Sequence, residues 1–186
     1  DKMGHGITSA EIARRRDFRE VLTITVDPGD AKDFDDALSL RKLDNGNWEV
    51  GVHIADVAHY VREGSHTDLE AQNRGTSIYL VDRTIPMLPE KLSNNICSLR
   101  PNEEKLCFAA VFEMNDEAEI LNEWIGKTVI RSARRYAYEE VQTVIEGGEG
   151  DYKEEILVLH GLASKLRSMR MKAGSINFHS EEVKFI

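Results

Sequence analysis

The sequence predicts an α+β fold: a mixed, largely antiparallel sheet followed by C-terminal helices. Three observations carry this. Apolar and polar residues alternate with period two through much of the first two thirds of the 186 residues. An Asn-Gly turn separates two of these segments, and after Tyr138 the period lengthens to three and four residues.

Taken in order, Arg14-Arg15-Arg16-Asp17 reads as a solvated helix face leading into the sheet. Val21 to Val26 sets Leu22, Ile24 and Val26 against Val21, Thr23 and Thr25, a strand that stops at Asp27-Pro28-Gly29. Ala37–Leu43 and Trp48–Ile54 form a hairpin about Asp44-Asn45-Gly46-Asn47, with Trp48, Val50, Val52 and Ile54 on one face. Ser65 as N-cap, Asp68 three residues on and Gly75 as C-cap bracket a short helix over 67–74. Ile85-Pro86-Met87-Leu88-Pro89 excludes a central strand or helix interior. Leu106–Met114 and Ile120–Ile130 make a second strand pair around Asn115-Asp116-Glu117. Ile156, Leu159, Leu162, Ala163, Leu166 and Met169 line one side of a long helix that ends before Gly174.

With 41% hydrophobic and 31% charged residues the chain can bury a core. Its longest apolar run, Leu106 to Phe112, falls far short of the roughly 18–20 residues of a membrane helix, so no membrane partner is expected. Asp1-Lys2-Met3-Gly4-His5 carries no secretory signature. The chain does not begin with Met and stops in an apolar run, so it reads as a piece of a longer polypeptide. Cys97 and Cys107 lack disulfide-framework or zinc spacing and read as reduced core thiols of a cytoplasmic protein. The net charge of −9 argues, as a sum, against a nucleic-acid partner. Its distribution argues otherwise: Lys127, Arg131, Arg134 and Arg135 stand in a stretch without acids, where phosphates could be met.

Part of the acid is concentrated in Asp27-Pro28-Gly29-Asp30-Ala31-Lys32-Asp33-Phe34-Asp35-Asp36. Two unit charges about 4 Å apart repel by about 4 kcal/mol at an effective dielectric near 20, so a convergent set calls for a cation. All-carboxylate ligation suits Mg²⁺ or Mn²⁺ rather than zinc. An EF-hand is excluded because Gly29 stands where the third-position ligand belongs. The plain alternative is a solvated acidic loop. Against it, Ala31, Phe34 and Ala37 interrupt the acids, and strands bound the loop on both sides, so the carboxylates can converge at the sheet's rim.

From Thr25-Val26-Asp27 through Asp36-Ala37 the segment resembles the signature of the ribonuclease II/ribonuclease R family, the RNB catalytic domain. The likeness continues in Val52-His53-Ile54-Ala55-Asp56-Val57-Ala58-His59-Tyr60-Val61, in Arg74-Gly75-Thr76-Ser77-Ile78-Tyr79 and in Ile85 to Glu90. It runs on through Leu92-Ser93-Asn94, Cys97-Ser98-Leu99 and Gly174-Ser175-Ile176-Asn177-Phe178. These motifs come in the family's order, and Asp33-Phe34-Asp35-Asp36 is closer to its ribonuclease R side.

The resemblance implies a sheet with an OB-like curl and a Mg²⁺-dependent 3′–5′ exoribonuclease that releases nucleoside 5′-monophosphates from single-stranded RNA. Residues 1–20 would be a lead-in, and 21–186 the N-terminal half of the catalytic domain, with cold-shock and S1 domains flanking it in the whole protein. It further implies Asp27, Asp33 and Asp36 as metal ligands, Asp35 as the aspartate on which the chemistry most depends, and Tyr79 and Phe178 as stacking aromatics. Tyr138 matches a further site tyrosine, with Tyr136 competing for that place, and Arg131, Arg134 and Arg135 are candidate RNA contacts. Two metals about 3.5–4 Å apart would activate water and stabilise the leaving 3′-oxygen, which needs several carboxylates. Asp30 has no family counterpart and reads as a solvated acid. His53 and His59 read as a hydrogen-bonded structural histidine or a surface one, not as ligands. The alternative is a catalytically inactive RNB-like module that binds RNA or protein; uncompensated like charges would gain it nothing.

Overall fold

The computed structural model describes residues 7–176. In chain order these form α1 (Ser9–Ile12), β1 (Arg16–Phe18), β2 (Thr23–Asp27), β3 (Asp36–Lys42), β4 (Trp48–Ala55), α2 (Val57–Tyr60) and α3 (His66–Arg74). Next come β5 (Ile78–Tyr79), β6 (Thr84–Ile85), a π-helical turn (Leu92–Ile96), β7 (Glu104–Met114), β8 (Ile120–Arg131), β9 (Arg134–Ala137), α4 (Tyr138–Ile145) and α5 (Lys153–Lys172). The expected α+β architecture is present, and the Asn45-Gly46 hairpin, the Ser65 and Gly75 caps and the β7–β8 pair stand where the sequence places them. Gly46 takes a positive φ of 86°, a conformation the tight turn requires and other residues resist.

Seven strands form one sheet in the order β1-β8-β7-β4-β3-β2-β9. The outermost pairs, β1–β8 and β2–β9, are parallel, and the remaining pairs are antiparallel. Chain length forces this sheet to curl. Only Ser132 and Ala133 join β8, beside one edge, to β9 at the other. Laid flat, strands five places apart would lie roughly 24 Å from one another, whereas such a link reaches only about 11 Å. The Ala133 amide donates to the Thr23 carbonyl (2.7 Å) and tacks the junction down.

The concave face is identified by contacts between strands that are not neighbours. Phe18 of β1 meets the His53 ring of β4 edge-on at 4.8 Å, and Arg16 reaches Glu49 at 2.5 Å. Small side chains fill this face, among them Ala37, Ala55, Cys107 and Ala109, with Leu92, Cys97 and Leu99 closing it from the π-helical turn side. A β-carbon on Gly51 would fall 2.4 Å from Ser39 Oγ and 2.6 Å from His53 Nε2, so only glycine fits there. Both cysteines are free and buried, and burial pushes the Cys97 thiol up to about 11.

Two sequence expectations change. The more deeply buried side of β4 carries Glu49, Gly51, His53 and Ala55; Trp48, Val50 and Val52 are half-buried and Ile54 is exposed on the convex side. Polar residues occupy the interior because they pair across the curl. Arg14 to Arg16 is not one solvated helix face: Arg15 is buried, and Arg16 opens β1 inside the segment set apart as a lead-in. From Tyr138 the expected C-terminal helices are present, α4 and the long α5 that carries Ile156 to Met169, and they cover the convex face through Ile24, Tyr136, Val144 and Ile156, and through Met114, Ala118 and Leu162.

His53 is fully buried between Thr128 Oγ1 (3.1 Å) and Ser39 Oγ (2.9 Å). Burial, followed by the nearby Arg16 charge, lowers its pKa from 6.5 to about 4. The unfolded chain therefore binds this proton more readily than the native state. We predict a stability loss of about 3 kcal/mol as pH falls from 6.5 towards 4, absent in His53→Gln; urea unfolding at stepped pH reads it, and equal pH slopes in the two proteins would refute it.

Candidate active site at the rim of the sheet

The acidic segment leaves the end of β2 and re-enters at the start of β3, so strand geometry fixes both of its ends. A turn follows Asp27, closed by the Ala31 amide on the Pro28 carbonyl (3.0 Å). The rest is tied to three other parts of the chain. Ser98 Oγ accepts the Phe34 amide (3.0 Å) and donates to the Lys32 carbonyl (3.2 Å), while the Leu99 amide bonds the Phe34 carbonyl (2.8 Å). The Ala55 amide bonds the Asp35 carbonyl (2.9 Å). Arg135, on β9, donates to the Pro28 carbonyl and lies over the Phe34 ring at 5.4 Å.

Electrostatically the aspartates act as a group. Asp27 is 7% exposed, and its pKa is raised, first by burial and then by Asp36 and Asp33; the Thr25 hydroxyl and the Arg135 charge oppose this. The Asp35 pKa is also raised, again by desolvation first and then by Asp33, Asp36 and Asp27. Three buried polar atoms here, Thr25 Oγ1, Asp27 Oδ2 and Arg135 Nε, have no hydrogen-bond partner of normal geometry. A buried carboxylate oxygen without a partner, on an aspartate whose pKa is raised by the charges of Asp36 and Asp33, belongs to a donor set that fits a hard divalent cation. The convergence expected from sequence is incomplete, however. Among the described residues no three His, Cys, Asp or Glu side chains close into a metal-holding group.

The other candidate residues divide by position. Ala137 is the register partner of Asp27, so Tyr138, the next residue, stands beside the aspartates and is 55% exposed. Tyr136 is a core residue whose hydroxyl donates to the Asp151 carbonyl, leaving Tyr138 as the tyrosine open at the rim. Tyr79 projects from the β5–β6 hairpin, 73% exposed. Arg134 pairs with Asp151 and Glu140 and covers Tyr136. Arg131 pairs with Glu20 and, with Leu22 and Ala133, lines a cavity of about 390 Å³ at the opposite end of β2 from Asp27, so it is not gathered with the aspartates. Asp30 is exposed, and Phe178 lies outside the described residues.

Sequence reasoning missed the bracing role of Ser98. It carries no local signal and was visible only as part of the Cys97-Ser98-Leu99 motif, far along the chain from the aspartates it serves.

Comparison with known proteins bears on this arrangement. The family model described as "RNB domain" matches residues 15–186. The chain is 45% identical over 195 residues to a DIS3-like exonuclease 2 of Schizosaccharomyces pombe, covering 96% of this chain and 21% of that relative. It superposes with a TM-score of 0.88 and 30% identity on Mycoplasma genitalium RNase R in complex with ribose-methylated single-stranded RNA, covering 97% of this chain and 29% of the other. Yeast Ssd1, described as a pseudonuclease, shares the fold at a TM-score of 0.80 and 20% identity, over 90% of this chain and 21% of that one. The chain thus spans about a fifth to under a third of the length of these proteins.

Proposed function

The chain belongs to the RNB-domain family, and from that membership we propose that it is the N-terminal part of the catalytic domain of a Mg²⁺-dependent 3′–5′ exoribonuclease acting on single-stranded RNA. The observation that carries the reading is the rim itself: a buried Asp27 oxygen without a partner, with Asp27 and Asp35 both held above the usual carboxylate range, first by desolvation and then by neighbouring aspartates, Asp36 and Asp33 for the one and Asp33, Asp36 and Asp27 for the other. Relatives named as exonuclease and RNase R supply the reaction class.

In this reading Asp27, Asp33 and Asp36 hold Mg²⁺, or Mn²⁺ in its place. The bound metal supplies a water made nucleophilic near neutral pH and counter-charge for the leaving oxygen. Asp35, with its raised pKa, takes up the proton of the attacking water. Tyr79 and Phe178 stack on bases, an interaction worth about 1–3 kcal/mol per base whatever the sequence, and Tyr138 and Arg135 meet the strand beside the aspartates. The whole protein adds cold-shock and S1 domains and works in the cytoplasm.

A second reading, a module that binds RNA or protein without cleaving it, is favoured by the incomplete convergence of the aspartates, and the fold is shared with a pseudonuclease. The two separate experimentally. The full-length protein, given 5′-labelled poly(A) and Mg²⁺, is expected to release nucleoside 5′-monophosphates; no release with either Mg²⁺ or Mn²⁺ would leave the binding module standing. We also predict that millimolar Mg²⁺ raises the melting temperature, since a ligand bound only by the native state stabilises it. Asp27→Asn should reduce that rise, and an unchanged rise would remove Asp27 from the ligand set.

A further inference from the structure

We propose that Ser98 is a positioning residue that sets the aspartate loop for metal binding, as the end point of a polar chain running from Lys105 through the π-helical turn. The inference rests on the reading of Asp27, Asp33 and Asp36 as metal ligands and adds to it the device that holds the backbone on both sides of Asp33 in place. The geometry starts at Lys105, buried on β7, whose Nζ donates to the Asn95 (2.7 Å) and Ile96 (3.4 Å) carbonyls and pairs with Glu103 at 2.9 Å. Those carbonyls belong to the last residues of the π-helical turn Leu92–Ile96, where the wide ring closes from the Cys97 amide to the Leu92 carbonyl (2.8 Å).

A π-turn has one residue more per ring than an α-turn and turns the following side chains by a corresponding amount. Here the residues that follow are Cys97, which enters the concave core, and Ser98, which points at the acidic loop. Ser98 is fully buried, and its hydroxyl uses both of its capacities on one short stretch, accepting from Phe34 and donating to Lys32. These two backbone groups flank Asp33 on either side. Leu99 adds the Phe34 carbonyl, and the Ala55 amide takes that of Asp35. The backbone from 32 to 35 is therefore fixed by groups that touch neither carboxylate nor substrate. Like charges would push an untied loop apart, so the clasp opposes that repulsion before any cation is present.

The test uses the full-length protein with Ser98→Ala, Ser98→Thr, Lys105→Met and, as a control of comparable core damage, Val129→Ala, which lies in the sheet away from the loop. Mg²⁺ titration of the melting temperature gives a midpoint independent of turnover, and amide exchange of residues 32–36 gives loop order independent of metal. In Ser98→Ala the midpoint is expected to rise about tenfold or more, the usual scale for groups that orient ligands from behind, and the 32–36 amides to exchange faster. Ser98→Thr, which keeps the hydroxyl, should restore both; Lys105→Met should move both in the same direction with Ser98 intact. Val129→Ala should lower the melting temperature without moving the midpoint. An unchanged midpoint and unchanged exchange in Ser98→Ala overturn the clasp while leaving the metal site standing. Absence of any Mg²⁺ response in the wild type, with exchange altered as expected, overturns the metal reading instead.

Discussion

Asp35→Asn is expected to slow RNA hydrolysis by roughly 10²–10⁴-fold, the range for loss of a positioned proton acceptor, while the protein stays folded. Asn is nearly isosteric with Asp but accepts no proton. The carboxyl at this position is kept above its usual pKa by desolvation and by Asp33, Asp36 and Asp27, which favours a group that binds a proton when water gives one up. The Asp35 main-chain carbonyl, not its side chain, is bonded to Ala55, so the substitution leaves that tie in place. Removing one of several mutually repelling charges should, if anything, raise metal-free stability. Initial rates of 5′-monophosphate release and thermal unfolding, measured on the same preparations, give both halves of the result. A variant that turns over RNA at the wild-type rate would take Asp35 out of the chemistry, and one that has unfolded would make it a structural residue.

Arg15→Met should destabilise the domain by about 3–5 kcal/mol, the cost of leaving a buried partner charge uncompensated. For a chain of this length that is a melting temperature lower by roughly 6–20 °C. Arg15 donates to Asp56 Oδ2 (2.7 Å), Glu11 Oε1 (2.8 Å) and the carbonyls of Cys107 (3.1 Å) and Thr128 (3.3 Å), with no exposed side-chain surface. Its loss strands Asp56, whose remaining cation, Lys127, is 3.6 Å away and half in solvent. It also removes the donor that the Cys107 and Thr128 carbonyls share. Arg15→Lys should recover only part of the loss, because an ammonium cannot reproduce the planar fork. Arg15→Met with Asp56→Leu should be milder than Arg15→Met alone, since no charge is then left buried without a partner. Denaturant unfolding gives the values, and a loss below about 1 kcal/mol would class the pair with exposed ion pairs.

Much of the architecture was legible because it is local. The hairpin about Asn45-Gly46, the helix between Ser65 and Gly75, and the paired segments that became β7 and β8 each carry their own turn or cap. The missed elements owe their form to distant partners. Arg16-Asp17-Phe18 and Arg134-Arg135-Tyr136-Ala137 have no alternating apolar pattern, and they are strands because β8 and β2 offer free edges. Arg15 looked solvated because a run of three arginines usually is; only the fold supplies Asp56 and two carbonyls to pair it. The same division holds at the rim. Asp27 to Asp36 announced themselves by composition, whereas the orphaned oxygen of Asp27, the exposure of Tyr138 over Tyr136 and the Ser98 tie depend on which strands meet. Arg131 shares a basic stretch with Arg135, but β8 carries it to the far end of β2.

The short links that draw the sheet's two margins together also bear on how the chain folds. Arg16 pairs with Thr128, and Ile24 with Arg134, contacts that each bridge more than a hundred residues. Pairings of such high contact order form late, after the entropy of closing a long loop has been overcome. The hairpins β3–β4 and β7–β8 need no such closure, so they form early and the seam between β2 and β9 follows. Arg135 reaches Pro28 and Phe34 only from that seam. An aspartate loop braced in this way matures at the end of folding, so a nascent or partly unfolded chain keeps its β3–β4 and β7–β8 hairpins while still lacking the support for its carboxylates.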